Sequence, residues 1–231
     1  MTTFIATRSW YFNLVHHRAP HASDKRSQRG QGTNGASVSA AKPEESEEDL
    51  LNSMMLAHYG ARSDVLPWDM GPSAALAFPA RAAKLLQKSA IDLGVPLDRS
   101  LDLGCAVGRS SFDLAMAFKE VCGIDMNRRF IEAANELKAD GQRIYVRQDG
   151  GSITADIVAS IDNIVDRTRV AFHVDDACSL SPQIYGNFNA VLVANVLEYV
   201  EEPRQVVART AGGSPETSPS SPSHLFFRFR V

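Results

Sequence analysis

RSLDLGCAVGRSSFDLAMAF, residues 99–118, changes its period in the middle. RSLDLG (99–104) is short, with Leu101 and Leu103 as its apolar residues, and reads as a buried strand. In SSFDLAMAF (110–118), Ser111, Leu114, Ala115 and Phe118 share one helical face. Gly104, Ala106 and Gly108 lie between the two. Strand, small-residue turn and helix make the first half of a βαβ unit, which predicts a parallel sheet.

The alternation continues downstream. EVCGID (120–125) reads as a second strand. RRFIEAANELKAD (128–140) reads as a helix with Phe130, Ile131, Ala134 and Leu137 inward and Gly141 at its end. RVAFHV (169–174) and NAVLVAN (189–195) are the third and fourth strands, and PRQVVART (203–210) begins another helix. Between residues 141 and 169 lies an insertion: IYVRQDGG suggests a strand and a turn, and Ile153, Ile157, Ile161 and Ile164 are spaced for a helix. Upstream, AFPARAAKLLQKSAIDLGV (77–95) predicts a helix stopped at Gly94. In LLNSMMLAHYG (50–60), Leu50, Leu51, Met54, Met55 and His58 recur at helical spacing, with the Glu44–Asp49 acids before it and Gly60 as its stop.

Composition bounds the rest. The chain has 231 residues, 44% of them apolar, with 24 Lys plus Arg against 27 Asp plus Glu. That argues against a basic nucleic-acid binder, and no apolar run is long enough to span a bilayer. Cys105, Cys122 and Cys178 form no CxxC pair, so neither zinc nor a disulfide framework is expected, and an intracellular, reducing compartment fits. Residues 1–49 read as a disordered or targeting tail: residues 1–43 hold six basic residues and one acid. Such a start resembles an organelle transit peptide as much as an untargeted tail, leaving cytoplasm and organelle both open. Residues 50–211 form the folded domain. Residues 212–231 are a Gly/Ser/Pro tract followed by HLFFRFRV, a single strand by alternation.

In a doubly wound sheet, ligands bind beyond the carboxyl ends of the strands. There the chain carries DLGCAVGRS from Asp102, GIDMN from Gly123, VDDA from Val174 and NVLEYV from Asn195. Gly104 and Gly108 let backbone approach an anion, a phosphate or a carboxylate. The spacing Gly104-x-Ala106-x-x-Arg109 lacks the second and third glycines of a dinucleotide fingerprint. Asp125 can accept both hydroxyls of a ribose, whether of a nicotinamide or an adenosyl cofactor. Asp176 can accept from an adenine amine, with the Ala177 N–H beside it; the adjacent Asp175 competes for that role. A carboxylate-binding loop, a ribose acid and an adenine acid together describe an adenosylated amino acid.

LDLGCAVGRSS (101–111), GID (123–125), DDA (175–177) and FNAVLVANVLEYVEEP (188–203) resemble the successive motifs of class I S-adenosylmethionine-dependent methyltransferases. AHYG (57–60), LPWDMGPSAALAFPARAA (66–83), the insertion and DDACSL (175–180) are similar to the 4-mercaptohistidine N-methyltransferase family, the methylating module of ovothiol synthesis. The resemblance implies a Rossmann-like class I methyltransferase sheet that binds S-adenosyl-L-methionine. Its implied cofactor residues are Arg81, Asp102, Gly104, Ala106, Gly108, Asp125, Met126, Asp176, Ala177 and Asn195. Its implied acceptor-orienting residues are His58 and Tyr59, against the alternative of helix-end packing. Arg81 would grip a carboxylate, against the alternative of a solvated helix arginine.

Two departures accompany the likeness. Ala106 stands where many members have glycine. Members also carry three more strands after the helix that follows NVLEYV, so the sheet is expected to be truncated after its fourth strand. Three readings follow: methyl transfer to a small molecule, most specifically the imidazole nitrogen of a mercaptohistidine; a non-catalytic S-adenosylmethionine-binding module; and a nicotinamide-dependent oxidoreductase, which the glycine spacing disfavours.

Overall fold

The computed structural model describes residues 46–66, 76–150, 152–180, 185–197, 199–200, 202–203, 206 and 225–229. Of the tail predicted over residues 1–49, residues 1–45 lie outside them, as do the GP stretch near residue 71 and the linker from residue 212, whereas Glu47, Glu48 and Asp49 are helical, which corrects that boundary. Helix α1 (Glu47–Tyr59) begins ahead of residue 50 because the Ser46 hydroxyl oxygen accepts the Asp49 N–H at 3.1 Å, and Glu47, Glu48 and Asp49 occupy the positive end of the helix dipole. After the short helix α2 (Arg62–Val65) and helix α3 (Phe78–Asp92) come strand β1 (Arg99–Leu103), helix α4 (Arg109–Leu114), strand β2 (Glu120–Asp125) and helix α5 (Arg128–Asp140). Helix α4 is shorter than its apolar face. Past Leu114 the chain tightens into turns, with the Ala117 N–H on the Leu114 carbonyl at 3.0 Å, and Phe118 still reaches the core.

Strands β3 (Gln142–Gly150) and β4 (Ile153–Ser160) form a separate antiparallel hairpin. This corrects the helix predicted from Ile153, Ile157, Ile161 and Ile164. In β4 the inward positions are Ala155, Ile157 and Ala159, a period of two, while Ile153 and Ile164 are 67% and 72% exposed. The register pairs Tyr145 with Ile157 and Ile144 with Val158, with an irregularity between Gln148 and Gly150 at the turn. Packing of β3 on α1 and α5, with Tyr145 buried, overrides a four-residue spacing that is helical only by coincidence.

The main sheet continues with β5 (Val170–Val174) and β6 (Ala190–Ala194) and ends with β7 (Leu225–Phe229). Its order is β5-β2-β1-β6-β7, and every pairing is parallel. Counting only the strands of this sheet up to β6, the order is third, second, first, fourth, as in doubly wound dinucleotide folds. Both faces are buried. Val121, Phe172 and Leu192 pack under α1, α3, α4 and α5; Leu101, Leu103, Ile124 and Val193 pack under Leu180, Phe188, Leu197 and Val206. Full burial contributes roughly 1.5–3 kcal/mol for each such side chain. Of the helix predicted from residue 203, Pro203 and Val206 are described, both helical, with Val206 fully buried. Among the described residues no helix is long and apolar enough to cross a membrane.

Candidate functional site

The carboxyl ends of β1, β2, β5 and β6 bring together the loop Gly104–Gly108, Asp125 with Met126, Asp175 with Asp176, and Asn195. The loop folds back over β2: the Gly104 and Cys105 N–H groups donate to the Ile124 carbonyl at 2.7 and 3.1 Å, and the Gly108 N–H donates to the Cys105 carbonyl at 2.9 Å. Three of its residues are left-handed, Gly104 at φ 73°, Ala106 at φ 47° and Gly108 at φ 82°. A Cβ on Gly104 would lie 2.0 Å from Val196 Cγ2, and one on Gly108 would lie 2.6 Å from Phe172 Cζ, so neither position has room for a side chain. Ala106 has that room and keeps its strained backbone at roughly 1–2 kcal/mol.

Asp125 ties the loop to β2. Its Oδ2 accepts the Ala106 N–H at 2.9 Å and its Oδ1 accepts the Asn127 N–H at 2.8 Å. Burial pushes its carboxyl above the usual range, against those two bonds. Each carboxylate oxygen has about two acceptor positions, so one on each oxygen remains for a ligand hydroxyl. Met126 stands next to it, 76% exposed, an apolar surface at the mouth of a polar crevice.

Asp102 serves the scaffold. It is buried, and its Oδ2 accepts the hydroxyls of Ser110 and Ser111 at 2.7 and 2.6 Å, bracing β1 against α4. Burial pushes it up to about 6 although both serine bonds oppose the shift. The structure also distinguishes the paired acids after β5. Asp175 is half-buried, with Oδ2 accepting the Tyr185 hydroxyl at 2.5 Å, which helps hold its carboxyl below the usual range. Asp176 is exposed, with its Oδ1 on the Cys178 N–H at 2.9 Å, and Ala177 beside it is half-buried. Asn195 adopts φ 57° at the end of β6, and its buried Oδ1 has no hydrogen-bond partner among the described residues.

His58 and Tyr59, at the end of α1, meet the start of α4. The Tyr59 hydroxyl donates to the Val107 carbonyl at 2.9 Å, and Arg109 Cζ lies 5.6 Å from the Tyr59 ring centre. Burial, followed by the charge of Arg109, lowers His58 to about 3, so its imidazole is neutral at physiological pH. Arg81 is exposed on the first turn of α3. The sequence assigns no site role to Ser110, Ser111, Arg109 or Tyr185. The first two were open to inference, because a buried acid at residue 102 needs donors and two hydroxyls follow on the next helix.

Residues 101–212 match the family described as "Methyltransferase domain". No curated protein matches the chain. Among solved structures, the N-terminal domain of EvdMO1 with S-adenosylhomocysteine (SAH) bound is 19% identical, with a TM-score of 0.44 over 62% of this chain and 50% of that one. Magnesium protoporphyrin IX methyltransferase from Synechocystis PCC 6803, with bound SAH, is 17% identical, with a TM-score of 0.42 over 62% and 56%. CalS10, an amino pentose methyltransferase from Micromonospora echinaspora, is 17% identical, with a TM-score of 0.40 over 58% and 45%. The chain spans half or less of the length of the first of these structures. The fold itself stands on the strand order described above.

Proposed function

We propose that this chain binds S-adenosyl-L-methionine in the crevice beyond β1, β2, β5 and β6 and catalyses transfer of its methyl group to a small molecule. The observation that carries this reading is Asp125, whose carboxylate holds the Ala106 N–H of a glycine loop and still has an acceptor position on each oxygen. The residues fit the donor's parts: Asp125 for the ribose hydroxyls, Met126 for one face of the base, Asp176 and the Ala177 N–H for its edge, and the Gly104–Gly108 backbone with Asn195 for the amino-acid end. The match of residues 101–212 to a methyltransferase family supports the same reading.

When bound, the donor supplies an activated methyl on a sulfonium. The protein's share is then positioning, which can supply roughly 7–11 kcal/mol. We further propose a mercaptohistidine imidazole as acceptor. The support is the likeness of His58-Tyr59-Gly60, of the Phe78–Arg81 stretch and of the insertion, which the structure clamps to α1: the Val146 N–H donates to Asn52 Oδ1 at 3.0 Å and Gln148 Nε2 to Asp49 Oδ1 at 3.0 Å. A neutral His58 at the end of α1 is suited to hydrogen bonding rather than to repelling a cationic product.

Calorimetry of the purified chain against S-adenosylmethionine, SAH and NAD tests the donor, with binding of the first two expected. Binding of NAD alone would overturn the proposal. Methyl-transfer assays on mercaptohistidine and on histidine then test the acceptor, and equal turnover of both, or turnover of neither, would remove the thiol-specific assignment.

A further inference from the structure

We infer that Tyr59, on a helix that precedes the matched family segment, is a positioning residue for the donor loop: its hydroxyl sets the orientation of the peptide that presents the loop to the amino-acid end of the donor. This rests on the donor-binding reading above. Its geometry is independent of that reading. The Tyr59 hydroxyl donates to the Val107 carbonyl at 2.9 Å across 48 positions of sequence. A peptide unit is planar, so a fixed Val107 carbonyl fixes the Gly108 N–H on the other side of the same unit. That N–H closes the turn onto the Cys105 carbonyl at 2.9 Å.

The loop is thus held from two directions. Asp125 accepts the Ala106 N–H from the β2 side, and the Tyr59 hydroxyl donates to the Val107 carbonyl from the α1 side. Between these two anchors lies the left-handed Ala106, a strained backbone that needs external bonds to keep one shape, and the left-handed Gly108 follows directly after them. Tyr59 is itself held. Its ring lies under the Arg109 guanidinium, and Arg109 Nε donates to Asp113 Oδ2 at 2.9 Å. Its helix is tied to the rest of the domain by Arg129 with Glu48 at 2.8 Å and by the bonds from the hairpin to Asn52 and Asp49. A well-anchored tyrosine with its one donor on a backbone carbonyl of the loop suits alignment of that loop, and leaves the hydroxyl no donor for an acceptor molecule.

The test compares two ligands that differ only at the end the loop serves. SAH carries the amino-acid arm, whereas 5′-methylthioadenosine has the same nucleoside and sulfur without it. In Tyr59→Phe, which keeps the ring under Arg109, affinity for SAH should fall about three- to tenfold, as expected for one lost hydrogen bond, while affinity for methylthioadenosine stays within about twofold. Tyr59→Leu, which also removes the ring, should widen the same gap. An unchanged SAH affinity, or an equal loss for both ligands, overturns the inference while the donor reading stands. A wild-type chain that binds neither ligand overturns the donor reading and the inference together.

Discussion

Asp102 is a carboxylate whose burial works against its own charge. Its folded value, about 6, lies above the ordinary 3.8, so the folded chain holds that proton more tightly than the unfolded one. The resulting stabilisation is complete below about pH 4, fades between about pH 4 and 6, and is gone above that. Relative to Asp102→Asn, which keeps an acceptor oxygen for Ser110 and Ser111, the wild-type chain should therefore lose on the order of 2–3 kcal/mol as the pH rises from about 4 to 7. Denaturant titrations of both chains across that range would show it, and parallel pH profiles would contradict it. Asp125 tests the ligand side: Asp125→Ala should weaken S-adenosylmethionine binding about tenfold or more in calorimetry, and an unchanged dissociation constant would mean that it does not hold the ribose. Gly104→Ala combines a left-handed alanine with a Cβ 2.0 Å from Val196 Cγ2 and should cost about 2–4 kcal/mol in thermal unfolding. Val196→Ala in the same chain should recover part of that, whereas additive losses would place the strain elsewhere. The need for glycine at residue 104 was legible as a turn signal. The particular neighbour that enforces it was not, because Val196 arrives from another strand end.

At the scale of elements, Asn127 joins the site to a helix. Its Oδ1 accepts the Arg129 and Phe130 N–H groups at 3.0 and 3.3 Å as the cap of α5, while its own backbone N–H goes to Asp125. Asn127→Ala should cost about 1 kcal/mol of stability yet leave donor affinity nearly unchanged, since the bond to Asp125 comes from the backbone. A large loss of affinity with little loss of stability would reverse that division of roles. Helices α3 and α5 and the strands of the main sheet were readable because their apolar residues follow one period and end at a cap or a glycine, as Gly141 does at φ 79°. The β3–β4 hairpin was not. Ile153, Ile157 and Ile161 fit a helix by spacing, and only pairing with residues 142–150, together with the closure of Tyr145 onto α1 and α5, selects the strand. The same limit applies to the site. Asp125 and the glycines announced themselves through local motifs, whereas the bond from Tyr59 to Val107 depends on how α1 packs, which no local pattern encodes.

At the scale of the molecule, the main sheet has two edges, and the chain treats them differently. On one side β5 ends the sheet; on the other, β6 is followed by β7, with residues 190–194 in register with 225–229. Within HLFFRFRV, read from its alternation as a single strand, residues 225–229 cover the edge of the fourth strand by parallel pairing. Without it, AVLVA (190–194) would present a run of apolar residues with unpaired backbone groups, a template for pairing with other chains. The same strand carries Val191 and Val193 to one core face and Leu192 to the other, and it leads into Asn195, so disturbing that edge reaches both the core and the site. Removing residues 212–231 should therefore lower the thermal midpoint and produce concentration-dependent association in light scattering, with weaker S-adenosylmethionine binding as a consequence of the loosened β6 end. A deletion variant that stays monomeric at an unchanged midpoint would mean that β7 contributes nothing to the sheet, and that the four strands from β5 to β6 with their helices hold the donor crevice by themselves.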